Sequence, residues 1–352
     1  MSKIKVLIIE DSLFMQKILS EMVNSSPDME VAAVFTNGQE ALNKFENYSP
    51  DVITLDMNLP GVNGIDVLSG IMLRRPTPVI MVSAYTRDGA EVTINALSKG
   101  AVDFIAKPSG EVSLDMAAVK EEFLSKIKLA ATAKVQPNIT VRPPPGKSSG
   151  ALINFAQGFK KLIIIAASTG GPQAILELFS RLPKDIAAAF IVVQHMPQGL
   201  FTSSFAQRIT IETKFPAMES VGEAKLFSGL VYVAVGGYHT VVEKKAQDVP
   251  DSGSLKITKD PYVNFVRPSA TTTMISAAEA FGPDVIGVVL TGMGKDGLEG
   301  ARKIKEKKGF VIAQDRASSV IYGMPRVVVE GGLADRVLPL PLIAEELVSL
   351  CA

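Results

Sequence analysis

Residues 161–172 read KLIIIAASTGGP, an isoleucine-rich apolar run that ends in a serine and a pair of glycines. A run this short and this apolar suits a strand buried on both faces of a parallel sheet. Gly170, Gly171 and Pro172 then turn the chain into a helix that begins QAILELF, with proline where a helix start tolerates it. Ser168 therefore stands on a strand-to-helix turn, with the N–H groups of the helix start beside it. Two readings fit this turn alone. One is a hydrolase nucleophile elbow, although the sequence is not GxSxG; the other is that Ser168 and Thr169 cap a helix. A phosphate-cradling loop fits less well, because neither GxGxxG nor GK[ST] is present.

Strand-helix alternation continues on both sides of this stretch. Downstream, AAAFIVVQ, LVYVAV, PDVIGVVL and GFVIAQ are the buried runs of a parallel or mixed sheet, and PLIAEELVSL is a terminal amphipathic helix. Between Val221 and Asp260 the spacing tightens and polar residues intrude, which predicts an antiparallel excursion with a flexible tip. Upstream, KVLII, MEVAAVF, DVITL, PVIMVS and AVDFIA alternate with amphipathic stretches, the pattern of a five-stranded doubly wound parallel sheet. Residues 130–159 collect proline, glycine and serine without a period and read as a linker. The expected organisation is α/β with two doubly wound domains, 1–128 and 160–352, joined by a linker over 129–159.

Bulk composition narrows the function classes. The chain has 352 residues, with 36 Lys plus Arg balancing 36 Asp plus Glu, so no global field draws it to nucleic acid or an anionic membrane. Cys351 is the one cysteine, and His195 and His239 are the only histidines. Neither an internal disulfide nor a structural zinc site is expected. The apolar stretch at the N-terminus is too short for a signal or a membrane span. These features lead to the expectation of a cytoplasmic protein without membrane insertion; a monomer is expected, although nothing in the sequence specifies the oligomeric state.

In open α/β sheets ligands bind outside the carboxyl ends of the strands, so the residues that end each apolar run carry the chemistry. In the first domain these are Glu10 and Asp11, Asp56, Ser83, and Lys107. Three carboxylates converging on one crevice call for a hard cation such as Mg²⁺. Lys107 and Ser83 add a positive charge and a hydroxyl, which suits a phosphoryl group arriving on Asp56. In the second domain Ser168, His195 and Asp296 each follow a different strand, the layout of a catalytic triad. Asp296, inside TGMGKDG, also reads as the N-terminal cap of the helix that starts at Leu298. As a triad, Ser168 attacks an ester carbonyl, His195 takes its proton, and Asp296 holds the imidazole. Backbone N–H groups near Thr169 and Met293 are the oxyanion candidates.

The first third resembles response-regulator receiver domains, with LIIEDS, TLDMNLPGVNG, MVSA and AKP in the family's order and spacing. The resemblance implies a flavodoxin-like fold, phosphorylation of Asp56 by a histidine kinase, and Mg²⁺ held by Asp11, Asp56 and the Asn58 carbonyl, with Glu10 acting through water. Ser83 and Lys107 would contact the phosphoryl group, and Phe104 takes the place of the switch aromatic. The second half resembles the catalytic domain of chemotaxis protein-glutamate methylesterases through STGG, QHMP, TGMGKDG and YGMPR. This implies a Rossmann-like fold, hydrolysis of γ-glutamyl methyl esters on chemoreceptor helices with release of methanol, and deamidation of particular receptor glutamines. It carries the triad onto Ser168, His195 and Asp296.

Some positions depart from that family pattern: Gly237 and Tyr238 before His239, Phe265, Val266 and Thr271 within NFVRPSAT, and the extra Leu200. They are expected to alter the substrate-recognition rim, while His239 reads as structural or rim. Three rivals stay in view. One is a receiver-controlled hydrolase of a non-receptor protein. The others are a DNA-binding output, for which no basic helix-turn-helix is present, and a nucleotide-binding one, for which no fingerprint is present.

Overall fold

The apolar runs form the strands of two separate sheets in the computed structural model, which describes residues 2–83, 86–107, 116–135, 158–244 and 253–352. The chain divides into two compact units, Met1–Thr140 and Val141–Ala352. Residues 136–157 of the expected linker, and residues 245–252 at the expected flexible tip, lie outside the described residues.

The N-terminal unit contains β1 (Ile4–Ile9), α1 (Leu13–Asn24), β2 (Met29–Phe35), α2 (Gly38–Tyr48), β3 (Val52–Asp56), α3 (Gly64–Arg74), β4 (Val79–Ser83), α4 (Arg87–Ser98), β5 (Asp103–Ala106) and α5 (Met116–Ala130). Its five strands are parallel in the order β2-β1-β3-β4-β5. β3 and β4 are buried throughout, as near-continuous apolar runs require. The first four helices begin at polar caps. Ser12, Asn37, Asn63 and Thr86 each accept a hydrogen bond from a first-turn N–H, which satisfies donors the helix leaves open.

The C-terminal unit contains β6 (Lys161–Ala167), α6 (Gly171–Arg181), β7 (Ala188–Gln194), α7 (Phe201–Thr213), β8 (Ala217–Glu219), β9 (Ala224–Lys225), β10 (Val231–Val233), β11 (His239–Glu243), β12 (Ser254–Thr258), α8 (Ala270–Phe281), β13 (Val285–Val289), α9 (Leu298–Glu306), β14 (Phe310–Gln314), α10 (Met324–Glu330), β15 (Arg336–Leu338) and α11 (Leu340–Cys351). Seven strands form a parallel sheet in the order β15-β14-β13-β6-β7-β10-β8. The excursion is a separate antiparallel sheet, β11-β12-β9. α8 packs against β6, β11 and α9, so Met274, Ala277 and Ala278 join β6 and β13 in one core.

Strand order fixes where a site can form. β6 leads to β7 on one side, whereas the later β13 returns to its other side, so the chain reverses direction across the sheet between β6 and β13. Parallel strands diverge at such a switch point and open a crevice beyond their carboxyl ends. Two helices that leave this edge differ from the capped helices of the first unit. α6 and α9 start from Gly170 (φ 77°) and Gly297 (φ 90°), with no side-chain cap. Glycine adopts this left-handed conformation without the Cβ penalty.

Candidate active site and N-terminal acidic site

Ser168 leaves β6 at the switch point, and its backbone is held on three sides. Its N–H donates to the Thr291 carbonyl at 3.1 Å, and its carbonyl accepts from Gly171 N–H at 2.7 Å and from Gln194 Nε2 at 2.9 Å. The neighbours leave no room for larger residues. A Cβ on Gly292 would stand 2.8 Å from Ser168 Cβ, and one on Gly171 would stand 2.0 Å from Gln194 Oε1. These glycines let the β13 loop and the α6 start close around the serine.

His195 is set beside Ser168 by register. Ala167 pairs with Gln194, and His195 N–H continues the ladder to the Ala167 carbonyl at 3.0 Å. Ser168 and His195 are therefore the next positions on adjacent strands. His195 Nε2 lies 2.8 Å from Asp296 Oδ2. Nε2 faces the carboxylate and carries the proton between them, leaving Nδ1 as the basic ring nitrogen. No hydrogen bond joins Ser168 Oγ to His195 among the described residues, and such contacts often tighten only around substrate.

Asp296 is 2 % exposed and is a cap, although not of the helix that follows it. α9 starts from Gly297 without a side-chain cap. Asp296 instead closes the N-terminus of α8: Oδ2 accepts from Ala270 N–H at 2.6 Å, while Oδ1 accepts from Ser269 Oγ at 2.6 Å, Thr271 N–H at 3.1 Å and Asn264 Nδ2 at 3.3 Å. Burial alone would raise this carboxyl's pKa. His195 and the Ser269 and Ala270 donors outweigh burial and hold it well below the ordinary carboxylate range.

Several supporting residues had no signal of their own in the sequence. Gln194 and Gln314 look like polar ends of apolar runs, yet both are buried and reach sideways. Gln194 Nε2 bridges the carbonyls of Ser168 and His195. Gln314 Oε1 accepts from Thr291 N–H at 2.7 Å. A buried amide closing an apolar strand is the clue that could have marked them.

The expected rim separates into two groups. Thr271 is 5 % exposed and its Oγ1 accepts from Gly297 N–H. It therefore braces the Asp296 loop and is not part of a rim. Gly237 is buried and Tyr238 and Val266 are half-buried, whereas Phe265 is 98 % exposed. His239 is fully buried. Its Nδ1 accepts from Ser269 N–H and its Nε2 donates to the Pro261 carbonyl, which makes it a brace behind Ser269.

In the N-terminal unit, single carboxylate oxygens of Glu10, Asp11 and Asp56 lie within 4.8 Å of one another. Lys107 Nζ stands 2.8 Å from Asp56 and 3.0 Å from Glu10. Burial, then the neighbouring Asp56, pushes the Glu10 carboxyl up to about 7, against the pull of Lys107. Burial would lower the Lys107 pKa, but its bonds to Asp56 and Glu10 raise it. An oxygen-only cluster short of positive charge fits a hard divalent cation. Asn58 N–H points back to Asp56 Oδ1 at 3.3 Å. Ser83 Oγ donates to the Gly89 carbonyl at 3.2 Å and accepts from Thr93, so it is engaged with α4. Phe104 is buried with Lys126 over its ring.

The CheB methylesterase sequence profile matches residues 163–347, and that of the response regulator receiver domain matches residues 6–119. This chain belongs to the CheB methylesterase family. Curated relatives align with this chain along nearly its whole length. The protein-glutamate methylesterase/protein-glutamine glutaminase of Pyrococcus horikoshii is 43 % identical, covering 98 % of this chain and 93 % of its own length. The Thermotoga maritima protein of the same name is 41 % identical, over 99 % of this chain and 98 % of its own. Among solved structures, the T. maritima CheB methylesterase catalytic domain superposes with a TM-score of 0.52 at 38 % identity, covering 54 % of this chain and 98 % of that one. This CheB family chain thus has a receiver unit and a methylesterase unit. Among the described residues no helix is long and apolar enough to cross a membrane.

Proposed function

We propose that this chain is a receiver-controlled serine esterase that hydrolyses γ-glutamyl methyl esters on chemoreceptor helices, releases methanol, and deamidates particular receptor glutamines. The observation that carries the reading is the convergence of Ser168, His195 and Asp296 at the switch point, with Asp296 kept ionised against His195. Ser168 Oγ attacks the ester carbonyl while His195 Nδ1 takes its proton, and the imidazolium faces a carboxylate already charged. His195 returns the proton to the leaving methoxide. A water then enters by the same route to free the glutamate and restore the serine. The turns bearing Thr169 and Met293 flank Ser168, and we assign their N–H groups to the developing oxyanion.

Control comes from Asp56 as acceptor of a phosphoryl group from a histidine kinase. Glu10, Asp11, Asp56 and the Asn58 carbonyl would hold Mg²⁺, which when bound screens the carboxylates from the incoming phosphoryl oxygens. Lys107 pairs with the phosphoryl charge at the same edge. The reading assigns residues 1–128 to the receiver, 129–159 to the linker and 160–352 to the esterase. The test is methanol release from a methylated receptor with and without acetyl phosphate and Mg²⁺. Release that rises with the phosphodonor supports the reading; no release under either condition overturns it.

A further inference from the structure

The turn at residues 263–266 carries a feature that the esterase chemistry leaves unused. Val263 and Val266 exchange backbone hydrogen bonds at 3.3 and 3.1 Å. The two residues between them, Asn264 (φ 53°) and Phe265 (φ 64°), both lie in the left-handed region. Tight turns of this type favour Asn and Gly there, and a bulky residue at positive φ is an outlier. Asn264 suits its place; Phe265 does not. The Phe265 ring is 98 % exposed, the most exposed large apolar side chain among the described residues. Folding thus strains the backbone to leave a benzyl group in water, and the fold gains nothing from it.

The knob is rooted in the catalytic machinery. Asn264 Nδ2 bonds to Asp296 Oδ1, and just beyond the turn Arg267 donates to the Lys259 and Asp260 carbonyls while stacking 4.3 Å from the Tyr262 ring. Both flanks are pinned, so the ring is presented from a fixed base one residue from a ligand of Asp296. The other loops that deliver the triad also leave large apolar groups half-exposed: Leu200 after His195 and Met293 before Asp296. All three apolar side chains therefore stand on loops that carry or brace His195 and Asp296.

We propose that Phe265 is a specificity-determining residue that docks into an apolar seam of a helical protein substrate beside the esterified glutamate. This rests on the esterase reading above. A glutamate on the polar face of a packed helix lies within one turn of the apolar stripe that faces the neighbouring helix. When the ester reaches Ser168, that stripe is brought to the apolar rim, and an aromatic ring held rigidly is suited to fill the recess.

The experiment compares the full chain with Phe265→Ala and Phe265→Gly on two esters, a methylated receptor cytoplasmic fragment and p-nitrophenyl acetate. Both variants should lower the ratio of receptor to small-ester kcat/KM by about tenfold through KM, the scale of one anchoring aromatic. Phe265→Gly should also raise the melting temperature, because glycine accepts the positive φ. An unaltered ratio in either variant overturns the proposal while leaving the esterase reading intact. Absence of methanol release by the unchanged chain overturns both. Equal loss on the two esters would make the ring a support of the site, and loss of a dimer in sedimentation would make it a self-association contact; either outcome overturns the proposal.

Discussion

In the proposed triad one side chain, Asp296, serves stability and chemistry together. Its carboxylate closes the N-terminus of α8 and holds the His195 proton, so removing its charge acts on both. Asp296→Asn should slow turnover by roughly 10³–10⁴, the scale of the serine-protease example, and should also lower thermal stability. Ser168→Ala should abolish turnover with stability kept, since the Ser168 backbone carries its packing bonds. Methanol release and melting curves separate the two effects. At the other site the sign of the pH effect follows from Glu10. Its carboxyl is raised to about 7, so it holds a proton below that pH and presents a charge to a cation above it. Mg²⁺ affinity of the receiver, followed by titration calorimetry, should fall as pH drops from 8 to 6, and Glu10→Gln should flatten the dependence.

Glycines decide how closely the elements around Ser168 approach. Gly292→Ala places a methyl 2.8 Å from Ser168 Cβ and should cost about 1–3 kcal/mol, with a fall in kcat larger than the stability loss accounts for. Denaturant melts and methanol assays on the same sample check it. The strands, the parallel sheet of the first unit and the residues that end the apolar runs are legible in the sequence, because a run stopping at Ser168, His195 or Asp56 is a local signal; the order of the strands is not. Nor are the partners. Asp296 looked like the cap of the helix beginning two residues later, yet it caps α8, which starts 26 residues earlier. That pairing exists only after β6 and β13 align, and nothing near Asp296 encodes it. Thr271, a departure from the family pattern, likewise reads as rim in the sequence, whereas its hydroxyl accepts from Gly297 N–H across the fold.

At the scale of the whole chain, a receiver and an esterase share one polypeptide, and we propose that the unphosphorylated receiver restrains the esterase. A truncated chain beginning near residue 145 should show raised basal methanol release, and Asp56→Asn in the full chain should abolish the response to acetyl phosphate. Unchanged or lower basal release would count against restraint. The α8 N-terminus supplies a way to see what that restraint does. The backbone amides of Ala270 and Thr271 end on the Asp296 carboxylate, so their proton resonances act as a built-in indicator of the triad. If phosphorylation at Asp56 shifts those two resonances, the signal re-forms the catalytic groups. If they stay still while activity rises, the triad is standing ready in both states and the signal only admits the substrate.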